Sequence, residues 1–222
     1  MNRIDYANAN RERYLDWCGE ILHSPYTPLD KLEFAIISAH CNMGYAIEGW
    51  LATRGINHIT PLAETLHANN VMAPGLKAGY IMHLRDMLDD GYPIPHECYQ
   101  EFRRAHKYPG LGHCKLSFAT ALIDPIGSNV VCLDTHILQV YLNTRPTTAQ
   151  VNRIYAHLPT YESIEGELIQ EANEINLPPF AYQWATWDWK RARVDHLPPL
   201  DHSFMWRDGR TQFQLPMFSS LT

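Results

Sequence analysis

Long apolar runs are missing from this 222-residue chain: no stretch approaches the roughly eighteen residues that a membrane-spanning helix needs. The opening residues, MNRIDYANANRERY, are polar and charged where a secretion signal would place an apolar segment, so a cytoplasmic protein without a membrane partner is expected, in the host cytoplasm if the source is viral. Paired cysteines are missing too. Cys18, Cys41, Cys98, Cys114 and Cys132 include no C-x-x-C, and their odd number fits reduced thiols better than a disulfide framework. None follows Cys132, which excludes a C-terminal four-cysteine iron–sulfur loop. The twelve histidines form no H-x-x-x-H or Cys/His ligand set, so neither a metal nor another cofactor is expected. Positive charge is scarce as well: 18 Lys and Arg stand against 24 Asp and Glu, a net charge of −6. That balance excludes a protein that coats nucleic acid nonspecifically, because neutralising phosphates requires a surplus of cations at the contact. Any DNA site must therefore be a local basic patch.

What the chain does have is apolar content, 45% of residues, at a length that buries a core in one domain or two closely packed lobes. Period-two strand patterns are scarce and no internal repeat is present. Helical spacing dominates instead: Tyr14, Leu15, Cys18, Ile21 and Leu22 fall on one face, and Leu32, Ala35, Ile36 and Ala39 on another. Further helices are expected after Thr60-Pro61, with Thr as cap and Pro at the first helical position, then from Leu76 to Leu88 and from His96 to about Arg104. Asp89-Asp90-Gly91 and the prolines 93 and 95 break the chain between the last two. Later helices are expected from Ala149 to His157, Ile164 to Ile175 and Ala181 to Arg193, separated by Pro159 and by Pro178-Pro179. The fold class is all-α. Residues 1–196 read as the helical domain and residues 197–222, where no period persists, as an irregular tail that either wraps the domain or hangs free.

The most informative stretch is Tyr108-Pro109-Gly110-Leu111-Gly112-His113-Cys114-Lys115, followed by Asp124-Pro125-Ile126-Gly127-Ser128 and then Val131-Cys132-Leu133-Asp134-Thr135-His136-Ile137-Leu138. A helix ending near His106, a Pro-Gly-x-Gly turn and a new helix from Gly112 bring bare backbone and a helix N-terminus to the surface together. Backbone N–H groups of Gly110, Leu111, Gly112 and His113 can hold a phosphate there, and glycine removes the Cβ that would block close approach. Arg103, Arg104 and Lys107 lie just before the turn and supply positive charge. Taken alone, Pro-Gly-x-Gly is more often an ordinary packing corner between helices. Asp134 changes that balance. It opens a new helical pattern, Ile137, Leu138 and Tyr141, so it serves as N-cap, and capping is compatible with catalysis.

Pro-Gly-Leu-Gly, a helix, a short loop and Leu-Asp-Thr-His-Ile-Leu together resemble the helix-hairpin-helix DNA glycosylases, particularly their endonuclease III branch. Ser38-Ala39-His40, after the apolar run 34–37, is similar to that branch's Leu-Ser-Ala-Gln, and Gly75-Leu76-Lys77-Ala78 resembles the segment leading to its hairpin. Gln183-Trp184-Ala185 looks like the C-terminal helix that returns to the N-terminal lobe. The resemblance spans roughly residues 30 to 193 and is specific only from hairpin to aspartate. It implies two helical lobes with a cleft between them, a hairpin (98–123) gripping the backbone of double-stranded DNA, and a loop and helix (124–143) that turn Asp134 toward a flipped nucleotide. Flipping is required because a stacked base hides its reacting bonds.

Three departures matter. Bifunctional relatives carry a nucleophilic lysine two residues after the second hairpin glycine, and here that position is Cys114. Lys115 stands one residue later, turned by about 100° on a helix, so it is either a phosphate-binding or solvated lysine or, through a looser loop, the nucleophile. His40 stands where relatives use a glutamine that fills the gap left by the flipped base, and this polar planar side chain reads equally as that filler or as a core or capping histidine. Trp184, Trp187 and Trp189 with Lys190, Arg191 and Arg193 read either as a stacking platform or as a helix packed on the core. The function these features imply is a monofunctional DNA N-glycosylase using Asp134, with Lys115 and His40 as further candidates. Two alternatives remain: a phage-type amino acid or amine transferase in thymine hypermodification on the same fold, and a DNA-binding module without chemistry. The protein is expected to act as a monomer. In the tail, Gln214-Leu215-Pro216-Met217-Phe218 resembles the Gln-Leu-x-Leu-Phe peptide that docks on the bacterial sliding clamp, though Leu215 and Phe218 could equally pack on the protein's own core.

Overall fold

Local signals account for most helix ends in the computed structural model, which describes residues 1–97, 99–194 and 196. Twelve helices are found among them and no strand: α1 (Arg3–Ala9), α2 (Arg11–Leu22), α3 (Pro28–Ile37), α4 (Met43–Thr53), α5 (Ile59–Ala68), α6 (Pro74–Asp89), α7 (Tyr99–Ala105), α8 (His113–Ile123), α9 (Thr135–Tyr141), α10 (Thr148–Ala156), α11 (Leu158–Glu174) and α12 (Pro179–Arg193). Capping boxes open α3, with Thr27 and Asp30, and α10, with Thr147 and Gln150. Three helices stop the same way: after α5, α6 and α11 a left-handed residue, Asn70, Gly91 or Asn176, is followed by an N–H that reaches back to the carbonyl of Leu66, Met87 or Ala172.

Two boundaries differ from expectation. α5 starts at Ile59 with His58 as N-cap, so Thr60 and Pro61 lie inside the first turn rather than at its edge. Pro159 does not separate α10 from α11; it sits in the first turn of α11, where a missing N–H costs no hydrogen bond. The expected tail, including residues 214–218, lies outside the described residues.

The helices form two lobes. One contains α3–α6; the other contains α1, α2 and α7–α12, with α12 packed against α1, α2, α9 and α11. α8 runs between them and packs on α3 from the first lobe and on α2 and α7 from the second. Eight of its eleven residues are buried, which explains why it shows so little amphipathic character. Its Phe118 joins two aromatic groups. Trp50 packs against Phe34 with centroids 5.2 Å apart, Phe34 faces Phe118 at 6.0 Å, Phe118 faces Trp184 at 6.4 Å, and Trp184 meets Trp17 edge-on at 5.0 Å. These contacts tie the lobes into one continuous core.

Candidate active site

The hairpin consists of α7, a tight turn and α8. Tyr108 and Leu111 pair across the turn, and Gly110 adopts φ +72° with the ring of Tyr80 so close that an added Cβ would lie 2.4 Å from it. Only glycine fits there. Gly112, by contrast, has an extended backbone and open space where a Cβ would lie, so its glycine is not required by packing. It is the N-cap of α8 and offers no side-chain acceptor, which leaves the first-turn N–H groups open at the positive end of the helix dipole.

The cations expected around this turn divide. Arg103 is a correction: it is 1% exposed and its guanidinium belongs to the core. It donates to both oxygens of the buried Glu165 at 2.7 Å, to Ser117 Oγ at 2.6 Å, and lies over the Tyr161 ring. Burying the chain between two helices forces the charge to find a carboxylate there. Leu111 is a second correction, since its side chain is buried and its N–H is already bonded to Tyr108 O, leaving no donor for a phosphate. Arg104 is exposed but makes two 2.8 Å hydrogen bonds to Glu162, and that partnership holds the Glu162 carboxyl below its usual range. Lys107 is exposed and carries no ion pair among the described residues. Burial, reinforced by the charges of Lys107 and Arg103, holds the His113 imidazole below its ordinary range, so it adds a hydrogen-bonding ring rather than a cation at neutral pH.

Asp134 caps α9, as its sequence position implies: Oδ1 accepts the N–H of Ile137 at 2.8 Å. Oδ2 takes no hydrogen bond among the described residues, and the side chain is half-buried. The segment that delivers it, Val130 to Leu133, is buried and irregular, without a partner strand among the described residues. Its backbone groups are met by side chains instead. Val131 N–H donates to Glu165 (2.9 Å), Cys132 N–H to Gln183 (2.8 Å) and Leu133 N–H to Tyr161 OH (3.2 Å); Tyr161 and Tyr155 hydroxyls donate to the carbonyls of Val131 and Leu133, each at 2.8 Å. α10, α11 and α12 thus fix the loop, and Glu165 bridges it to Arg103 of the hairpin. Sequence inspection missed these four residues. One signal was present: Glu165 lies on the apolar stripe Tyr161, Ile164, Leu168 and Ala172 of α11, where an unpaired carboxylate would be costly.

Lys115 and His40 come together across the lobes. The Lys115 amine donates to Ser38 Oγ at 3.0 Å and contacts Ser38 O at 3.4 Å, while Lys77 donates to Ile37 O (2.7 Å) and Ala39 O (2.6 Å). Both cations therefore sit at the C-terminal end of α3, where the dipole favours positive charge and the last carbonyls need donors. The turn they hold presents His40, exposed and at φ +51°. Lys115, in the first turn of α8, is held by Ser38 two residues before His40, and its neighbour Cys114 meets Cys132 two residues before Asp134, with the sulfurs 3.4 Å apart. Beyond Asp134, His136 is exposed, accepts from Lys190 at 3.0 Å and meets the edge of Trp187. Trp184 and Lys190 are buried, so α12 packs its aromatic face inward.

No protein-family model matches the sequence, and no curated protein matches it. Solved structures do. The 8-oxoguanine DNA glycosylase of Thermotoga maritima superposes with a TM-score of 0.67 at 17% identity, covering 86% of this chain and 97% of that one. The 8-oxoguanine glycosylase/lyase of Methanocaldococcus jannaschii, in complex with a 15mer DNA containing 8-oxoguanine, gives 0.68 at 18% identity over 87% of this chain and 99% of that one. The chain thus has the two-lobed, all-helical, helix-hairpin-helix fold of the DNA glycosylases.

Proposed function

We propose that this chain extrudes a nucleotide from double-stranded DNA and hydrolyses its N-glycosidic bond as a monofunctional glycosylase, with Asp134 as the essential carboxylate. The observation that carries this is the state of Asp134: one oxygen is fixed by α9, the other takes no hydrogen bond among the described residues, and the preceding backbone is locked by four side chains. As the bond from C1′ to the base nitrogen breaks, positive charge grows on the sugar, and a fixed carboxylate stabilises that charge without reorganising. Water adds to C1′, and Oδ2 accepts the proton it sheds. The open amides of α8 and Lys107 would hold the DNA backbone. Lys115 keeps its amine on Ser38, and Cys114 occupies the position after the hairpin that bifunctional relatives give to lysine, so no lyase step is assigned.

Because both similar structures are of 8-oxoguanine glycosylases, duplex DNA carrying 8-oxoguanine is the first substrate to test, followed by duplexes with other damaged or modified bases. Abasic product is the expected outcome. A mass-shifted base still attached to DNA would replace hydrolysis with transfer, and binding without either product would reduce the chain to a DNA-binding module.

A further inference from the structure

Two thiols meet at the junction of the two elements that the proposed function requires. Cys114 is the second residue of α8, and Cys132 lies in the irregular buried segment, two residues before Asp134. Their sulfurs are 3.4 Å apart, and both residues are buried, with Cys114 retaining 8% exposure and Cys132 3%. No other described cysteine is placed against them, and all four described cysteines are free thiols. The helix and the segment share no other side-chain hydrogen bond among the described residues, so the sulfur pair is a direct polar contact between the hairpin helix and the segment that carries the carboxylate.

We propose that Cys114 and Cys132 form a redox-active dithiol, which a peroxide converts to a disulfide that fastens the hairpin helix to the Asp134 segment. The thiols differ in a way that assigns the steps. The two thiols share a hydrogen bond that either can donate; Cys114, in the first turn of α8 and the more exposed of the pair, is held below its ordinary range by that contact and by the charge of Lys115, despite burial and the nearby Asp134 carboxylate. The same contact, with burial, holds Cys132 well above it. The Cys114 sulfur is therefore the nucleophile. It attacks one oxygen of hydrogen peroxide, the O–O bond breaks, and a sulfenic acid and water result. The Cys132 sulfur then attacks the sulfenyl sulfur, the S–O bond breaks, a second water leaves and the S–S bond forms. Two thiols and one peroxide give one disulfide and two waters.

A disulfide requires a sulfur separation of about 2.05 Å, so the 3.4 Å gap closes by rotation of the two side chains together with movement of the elements that carry them. Cys132 cannot shift without Asp134, because its carbonyl accepts the Asp134 N–H at 2.9 Å. This consequence rests on the proposed role of Asp134; the thiol chemistry does not. An aspartate displaced by a fraction of an ångström to an ångström should slow single-turnover base release about 10- to 100-fold.

The test is made on the full-length protein treated with hydrogen peroxide. Trypsin cuts after Lys115, so Cys114 and Cys132 fall in different peptides and a link between them is seen directly by non-reducing mass spectrometry. The expected result is one linked pair, lighter by two hydrogens, absent from Cys132→Ser and removed by dithiothreitol. In Cys132→Ser, Cys114 should instead accumulate as the sulfenic acid, trapped by dimedone. If both thiols remain open to alkylation after denaturation, or if peroxide links other cysteines instead, the proposal is overturned. A linked pair found in a protein that releases no base from any DNA would uphold the dithiol and remove the glycosylase reading, so the two fail separately.

Discussion

Asp134 carries two duties that one substitution can separate. Asn caps a helix nearly as well as Asp, so Asp134→Asn keeps the bond to Ile137 N and the start of α9 while removing the negative charge. Base release should fall by at least about 100-fold, with melting temperature and DNA affinity close to the parent; retained turnover would take Asp134 out of the mechanism. The DNA contact is separable in the same way. Lys107 has no acidic partner among the described residues, whereas Arg104 is committed to Glu162, so Lys107→Gln should weaken binding to all duplexes alike and lower the slope of log affinity against log salt by about 1, and Arg104→Gln should change both less. Gly112→Ala completes the set. Its Cβ meets nothing in the free protein, so any lost affinity reports DNA lying against the backbone at that point. Fluorescence anisotropy across a salt series reads all three, and equal effects of the Lys107 and Arg104 changes would contradict this division.

At the scale of elements, the sequence made the helices and the hairpin readable because their signals are local: caps, prolines in first turns, glycine at the turn and a 3.6-residue period. It made Asp134 readable as a cap for the same reason. What it did not show were side chains acting over long separations. Arg103 looks like a DNA-facing cation beside Arg104 and Lys107, and only the packing of α11, more than fifty residues on, turns it inward to Glu165. Gln183 looked like part of a packing motif, yet its amide oxygen holds Cys132 N–H, two residues before the carboxylate. Gln183 is therefore a positioning residue. Gln183→Leu leaves that N–H without an acceptor at a cost of about 1–3 kcal/mol, and the slack should lower the single-turnover rate about 10-fold or more while DNA affinity holds. Gln183→Glu keeps an acceptor oxygen and should retain more of the rate. A loss of melting temperature with an unchanged rate would make Gln183 merely structural.

At the scale of the molecule, the two lobes behave as one body. Their bond is α8, and within it Phe118, 3% exposed, sits between Phe34 of the first lobe and Trp184 of the second. Independently stable lobes would unfold in two steps, but a single core threaded by this helix couples them, since neither lobe can bury its face of α8 alone. Unfolding should accordingly be cooperative. Trp50 reports the first lobe and Trp17, Trp184, Trp187 and Trp189 the second, so tryptophan fluorescence of a variant with Trp50 and Trp206 changed to Phe, which follows the second lobe, should give the same urea midpoint as far-ultraviolet circular dichroism of the same variant, which follows both. Phe118→Ala removes the ring that joins the two aromatic groups and should cost about 3–5 kcal/mol, and its effect on the two probes is diagnostic. If the lobes are coupled only through well-packed aromatics, the variant should separate the transitions, with fluorescence and dichroism midpoints no longer coinciding; if the Lys115 contact to the end of α3 suffices, both midpoints should fall together. The burial of Phe118 against both lobes favours separation, and coincident midpoints in Phe118→Ala would assign the coupling to Lys115 instead.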